Sequence, residues 1–223
     1  MNNTITITIN GEEITASTDI IAKALAFYLT NAPGAKDQQL VIPQTAIVRD
    51  LKIGETFLYG GIKWVKLDHA YGGVLVLAVD KQADDLIFDE TRGNNWATSS
   101  LRKELNATKD GRFTATFLKD INKENLIEFK RDLSADDGGT EYGTCNDFVS
   151  LYTCAEYRRY RKLIPEIRKW HWTITADTTF YPHIVRIVEP YGALSNSRAD
   201  NDNGSVRPLC VLRANTIVKR VES

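Results

Sequence analysis

The sequence predicts a mixed fold in which strands and short helices alternate along one chain, and three stretches predict it. Residues 4–9, TITITI, alternate Thr with Ile, the pattern of a half-buried strand made of strong β formers. Residues 72–80, GGVLVLAVD, are almost continuously apolar, as a strand buried on both faces is. Residues 94–106, NNWATSSLRKELN, change period: Trp96, Leu101 and Leu105 fall near helical spacing, and Thr98 or Ser99 can serve as N-cap.

A chain of 223 residues holds one large domain, or one domain with a small extension. The net charge of −1 gives no global field to attract nucleic acid or an anionic membrane, so electrostatic recognition must come from a local patch. No stretch approaches the roughly 20 apolar residues of a membrane span. The start, MNNTITITING, has neither the basic nor the apolar segment of a signal peptide. Cys145, Cys154 and Cys210 are odd in number and form no CxxC pair, which favours free thiols in a reducing compartment. The expected setting is cytoplasmic or virion-associated.

In chain order, Asn10-Gly11 suits a hairpin turn after TITITI, and EEITA is the return strand. Thr18 and Asp19 can cap a helix from Ile20 to Leu29, which Asn31 to Gly34 breaks. Ala35 to Gln39 is the linker candidate. A ββα module over 1–45 then precedes a main domain over 46–223, or the same hairpin and helix pack onto the main sheet. That domain opens with KIGETFLYGGIKWVKLD, a strand, a Gly60-Gly61 turn and a second strand. IFDE (87–90) reads as a short strand end. Arg102, Lys103 and Glu104 give the 94–106 helix a charged outer face. Asp110-Gly111 is a turn, and 113–127 reads as a short irregular helix. Residues 130–144 are polar and Gly-rich and read as a surface loop. A helix is expected around Cys154 to Ile164, interrupted by Pro165.

Trp170 to Leu212 carries the longest pattern. An aromatic cluster leads into the strand HIVRIV, then a turn at Pro190, Tyr191 and Gly192. A polar segment follows, read as a long exposed loop over Ser195–Asn203, and VRPLCVL closes as a core strand. A loop anchored at both ends by strands is a natural place for recognition.

The phrases GxxFxxGGIKWxxL, NNWATSSLRKELN, DFVSLYTCAEY, HWTITAD, HIVRIVEPYGAL and VRPLCVL occur in this order over about residues 51–213. Together they resemble an uncharacterised domain family of Gram-positive gut bacteria and their phages. That family is marked by an N-x-W-x-x-S-x-L-R-x-x-L-N helix and a closing G-V-R-P-A-L-x-L. The chain departs at Thr173–Ala176, where the family has Leu-Arg-Ser-Pro, and at Ser205, where it has Gly. The ending also resembles C-type-lectin-like domains of the formylglycine-generating type. The resemblance implies an α+β fold: a small twisted antiparallel sheet, two or more helices and long loops. It licenses no activity by itself.

Chemistry-bearing patterns are sparse. Asp200, Asp202, Asn203 and Gly204 resemble a calcium loop, with hard oxygen ligands at alternate positions. The EF-hand pattern fails, because position 211 is Val where a bidentate Glu belongs. A solvated turn is the competing reading, with calcium at Asp200 and Asp202 kept as the alternative. Glu156 to Trp172 sets Arg158, Arg159, Arg161, Lys162, Arg168 and Lys169 among Tyr157, Tyr160, Trp170 and Trp172. Such a segment suits a protein interface, a nucleic-acid contact or a solvated amphipathic face. His69, His171 and His183 share no metal-ligand spacing, and neither GxSxG, GxxxxGK[ST] nor GxGxxG occurs. Cys210 alternates with apolar neighbours as a core residue does.

These readings lead to a non-catalytic binding module whose ligand is a protein or a surface glycan. The expected contacts are Tyr181, Tyr191, Asn196, Arg198, Asp200, Asp202 and Asn203. One alternative is a phage structural or accessory protein assembling through its N-terminal module into a homo-oligomer. Another is an inhibitor that binds protein or nucleic acid through residues 156–172.

Overall fold

The computed structural model describes residues 45–221 and the backbone of two further strands, β1 (Thr4–Ile9) and β2 (Glu12–Ser17). The chain divides into two compact units, Met1–Pro43 and Gln44–Ser223. In the first unit β1 and β2 pair antiparallel, from Thr4 opposite Ser17 to Ile9 opposite Glu12, as the Thr–Ile alternation predicts. The Asn10-Gly11 turn, the helix over 20–29 and the linker over 35–39 lie outside the described residues.

The second unit is mostly β, with curled antiparallel sheets. Its first strands are β3 (Thr45–Ile47), β4 (Thr56–Tyr59), β5 (Ile62–Ala70), β6 (Gly73–Ala78) and β7 (Ala83–Leu86). Two-residue strands β8 (Thr108–Lys109) and β9 (Arg112–Phe113) make a small hairpin, and β10 (Leu126–Ile127) follows. Next come β11 (Phe129–Asp132), β12 (Thr144–Asp147) and β13 (Val149–Ser150). The last six are β14 (His171–Ala176), β15 (Ile184–Val188), β16 (Leu194–Arg198), β17 (Gly204–Val206), β18 (Leu209–Leu212) and β19 (Ile217–Arg220). Among the described residues two α-helices occur, α1 (Ser100–Asn106) and α2 (Cys154–Tyr160).

One sheet has the order β10-β18-β6-β5-β4-β19-β3, with β13 also on β18. Its β4–β5 hairpin turns on Gly60 and Gly61, whose φ values of 56° and 76° lie in the left-handed region that a two-residue hairpin turn demands. All six residues of β6 are buried, which explains their continuous apolar run. The second sheet has the order β16-β15-β14-β17-β7. Its only parallel register among the described pairs sets His171 beside Ser205. Phe88 lies between Trp96 and Trp172, ring centroids 5.7 and 5.6 Å away, all three fully buried. Gly204 admits this cluster: a Cβ there would stand 1.8 Å from the Trp172 Nε1.

Arg207 sits where the chain crosses from β17 in one sheet to β18 in the other, and it is buried. Its guanidinium donates to the carbonyls of Ala78 (3.2 Å), Val79 (2.8 Å) and Pro165 (3.0 Å). A buried cation satisfied by backbone oxygens is a structural anchor.

Helix α1 starts at Ser99, whose hydroxyl accepts from the Arg102 amide at 3.2 Å, and it buries Leu101 and Leu105. Helix α2 starts with a full capping box between Thr153 and Glu156 and ends at Tyr160, before Pro165.

Five expectations need correction. IFDE is not strand: β7 ends at Leu86, and Phe88 turns into the core instead. Residues 130–144 are not one surface loop, because their ends belong to the β11–β12 hairpin, and Arg131 is 1% exposed. Arg102 does not simply face water: it reaches back to the buried Asp147 at 2.6 Å. The segment 195–203 is not a long loop either. Leu194–Arg198 forms the edge strand β16, and only a short turn remains before β17. The small sheet that the resemblance implies is in fact an eight-stranded and a five-stranded sheet.

Candidate functional site: an aromatic turn held on Asn94

The β14–β15 connection, residues 177–183, presents Phe180 and Tyr181 to solvent at 79% and 59% exposure. Their rings meet edge to face, centroids 5.0 Å apart. Two adjacent exposed rings form a small apolar patch, which makes this turn a candidate contact surface.

Asn94, itself fully buried, holds the turn from beneath. Its side-chain amide donates to the carbonyls of Thr178 at 2.8 Å and Ile184 at 2.9 Å, and at 3.4 Å to that of Tyr181. Its backbone amide donates to the Pro182 carbonyl at 2.9 Å. Its side-chain oxygen accepts from the Tyr142 hydroxyl at 2.6 Å. One side chain thus satisfies carbonyls that an ordinary surface turn leaves to water. The aromatic tip is consequently presented on a fixed backbone, which lowers the entropy cost of a contact.

The turn has two flanks. Beside β14, the Asp136 amide donates to the Ala176 carbonyl, which brings the 134–143 segment alongside. The Thr179 hydroxyl donates to Glu141 at 2.7 Å. Hydrogen bonds from Thr178 and Thr179 hold the Asp137 and Glu141 carboxyls below their usual values. Beside β15, Ile184 pairs with Arg198 across β16. The Arg198 guanidinium donates twice to Asp200 at 2.9 Å, and Arg92 reaches the same carboxylate at 3.0 Å. The Arg198 bonds hold the Asp200 carboxyl below its usual value.

The structure divides the expected contact residues into two groups. Tyr181, Arg198, Asp200, Asp202 and Asn203 fall at one end of the β15–β16 pair. Tyr191 is 71% exposed but lies past the far end of β15, about 16 Å along a five-residue strand. It neighbours Gly192, whose carbonyl accepts from the Tyr157 hydroxyl at 2.7 Å. Asn196 is exposed in mid-strand, opposite Arg186. Asp202 accepts from the Asn203 amide at 3.0 Å. Two guanidiniums therefore occupy the Asp200 carboxylate where calcium was the alternative. Among the described residues no three His, Cys, Asp or Glu side chains gather around a metal position.

Half of the basic segment is paired with carboxylates. Arg158 pairs with Asp136 at 3.0 Å, Arg159 with Asp68 at 2.9 Å and Lys169 with Asp85 at 2.6 Å. Arg161 lies over the Tyr157 ring, 5.4 Å from its centroid, and Lys162 and Arg168 are exposed. Tyr157, Tyr160 and Trp172 are buried, and Trp170 packs edge-on against Trp172 at 4.9 Å. The aromatic residues of this segment serve the core rather than a stacking platform.

Cys145, Cys154 and Cys210 are free thiols. Burial pushes the Cys145 thiol up to about 11 and the Cys210 thiol higher still, the opposite of an activated nucleophile. His69 and His183 are exposed and apart. His171 is buried and bonds the Tyr152 hydroxyl.

Asn94, Tyr142 and Phe180 are the site residues that sequence reading misses. Asn94 was visible only as the first letter of the NNW motif, and nothing local reveals a partner more than eighty positions away. Comparison with protein-family models, curated proteins and solved structures gave no match.

Proposed function

We propose that residues 44–223 form a non-catalytic binding module of C-type-lectin-like architecture, phage or gut-bacterial in setting. Its ligand is a protein or a surface glycan. It is met by the Thr178–His183 turn together with the neighbouring Arg198–Asn203 segment. The observation that carries this reading is the Asn94 anchor, which fixes two bare aromatic rings on a rigid strand pair. The mostly β build, with two helices among the described residues, supports the architecture. The raised thiols support a role without nucleophilic catalysis. The motif order over 51–213 supports the setting.

The test compares the parent chain with Phe180→Ser/Tyr181→Ser on a glycan array and on immobilised host-envelope fractions. Both rings are exposed, so the variant keeps its fold and stability to within about 0.5 kcal/mol. A ligand captured by the parent and lost by the variant supports the module. Capture that ignores both rings removes this face as the site.

A further inference from the structure

The collar around the aromatic tip identifies the class of partner, and this inference rests on the binding-module reading. Asp137 and Glu141 stand on the β14 side, hydrogen-bonded by Thr178 and Thr179. A Cβ on Gly139 would meet the Thr179 hydroxyl at 2.8 Å, Glu141 at 2.9 Å and Asp137 at 3.3 Å, so both carboxylates converge on one small volume beside the turn. On the β15 side, Arg92 and Arg198 converge on Asp200, and the exposed Asp202 follows in the same turn. Asp136 and Asp177 pair with Arg158 and Arg186, and Asp200 with Arg92 and Arg198, whereas Asp137, Glu141 and Asp202 join no ion pair among the described residues. The uncommitted charge at the tip is negative, and at Asp137 and Glu141 it is tied to Thr178 and Thr179, the two residues before Phe180.

We infer that the Phe180–Tyr181 tip inserts into an apolar slot of a protein partner whose rim carries lysine or arginine. Each part of the site selects for one part of this description. Two adjacent rings on a fixed backbone fill a preformed apolar slot at small entropy cost. Carboxylates beside the rings attract a cationic rim and raise the association rate. The same charges repel anionic lipid headgroups and phosphate backbones. They also repel a second copy of this collar, so the tip is not a self-association surface. A neutral glycan would use the rings and leave the paired carboxylates unanswered.

The test is selection from a random-peptide phage library on the immobilised full chain, with counter-selection on Phe180→Ser/Tyr181→Ser. The recovered peptides are expected to carry apolar residues flanked by Lys or Arg. Their affinity should fall by about tenfold or more on the ring variant. Asp137→Asn/Glu141→Gln keeps the rings and should weaken binding several-fold, with the loss erased in high salt. Peptides that are acidic or uncharged, or that bind the ring variant equally well, overturn the inference. So does recovery of no peptide while a neutral glycan or a phosphatidylcholine vesicle binds through the rings. That last outcome leaves the binding module standing and removes only the cationic protein partner.

Discussion

Arg131 and Glu156 meet as a bidentate ion pair, at 2.8 and 2.6 Å, with the arginine side chain 1% exposed. Glu156 also accepts from the Thr153 amide at 2.8 Å, so one carboxylate closes the capping box of α2 and neutralises the β11–β12 hairpin. Removing one partner of such a pair strands a buried charge. Glu156→Gln should therefore cost about 3–5 kcal/mol in urea unfolding. Arg131→Met/Glu156→Leu should recover part of that loss. Equal destabilisation in the single and double variants would show that the cost is not electrostatic.

Burial alone would raise the Glu156 carboxyl, but the bonds and charge of Arg131 outweigh it and hold the group below its usual value. Its contribution is then present above the unfolded pKa and lost as pH falls through the folded one. His171 acts over a higher window. Burial, helped by the charge of Arg207, depresses its pKa from 6.5 to about 3. The fold binds the neutral ring, so its stability is full above pH 6.5 and declines as pH falls toward 3. His171→Phe should flatten the stability slope between about pH 6 and 4, which urea titrations at stepped pH read directly. An unchanged slope would place the acid sensitivity elsewhere.

Gly204→Ala should destabilise by about 2–3 kcal/mol, because the new methyl group meets the Trp172 indole within the core. Intrinsic fluorescence in a chain that keeps Trp172 and carries Phe at Trp64, Trp96 and Trp170, compared with and without Gly204→Ala through thermal unfolding, reports both the loss of stability and the displacement of the ring. A variant with unaltered emission and midpoint would show that β17 shifts freely.

Asn94→Ala leaves three carbonyls without the side-chain donor they share. The expected cost is about 1–3 kcal/mol, together with faster proteolysis within 178–183. A turn as protease-resistant as the parent's would separate the anchor from the rigidity of the tip.

Much of the fold was legible because burial wrote it locally. The run GGVLVLAVD is the interior strand β6, Gly60-Gly61 is the turn before β5, and Ser99 caps α1. What stayed hidden was polar structure. LSNSR carries no strand signal, yet it becomes β16 because Val185 and Ile187 in β15 bury the neighbouring face and the edge needs little hydrophobicity of its own. Arg131 looked like surface charge because its partner, Glu156, comes 25 residues later. The site divided for a related reason. Tyr181 and Tyr191 are close in sequence, but an intervening strand sends them to opposite ends of the sheet.

The last three strands determine when the second unit can exist during synthesis. β17 pairs with β7, β18 with β6, and β19 with both β3 and β4, so β3 and β7 find their strand partners only in residues 204–220, and β4 and β6 each lack one of two partners until then. While a ribosome is still adding Asn201, β6 has β5 on one edge and nothing on the other, and much of the apolar surface of that strand is open to chaperones. The sheets therefore close late, after translation has passed Arg220, and a stop codon before Leu209 should yield a chain for degradation rather than a shorter folded unit.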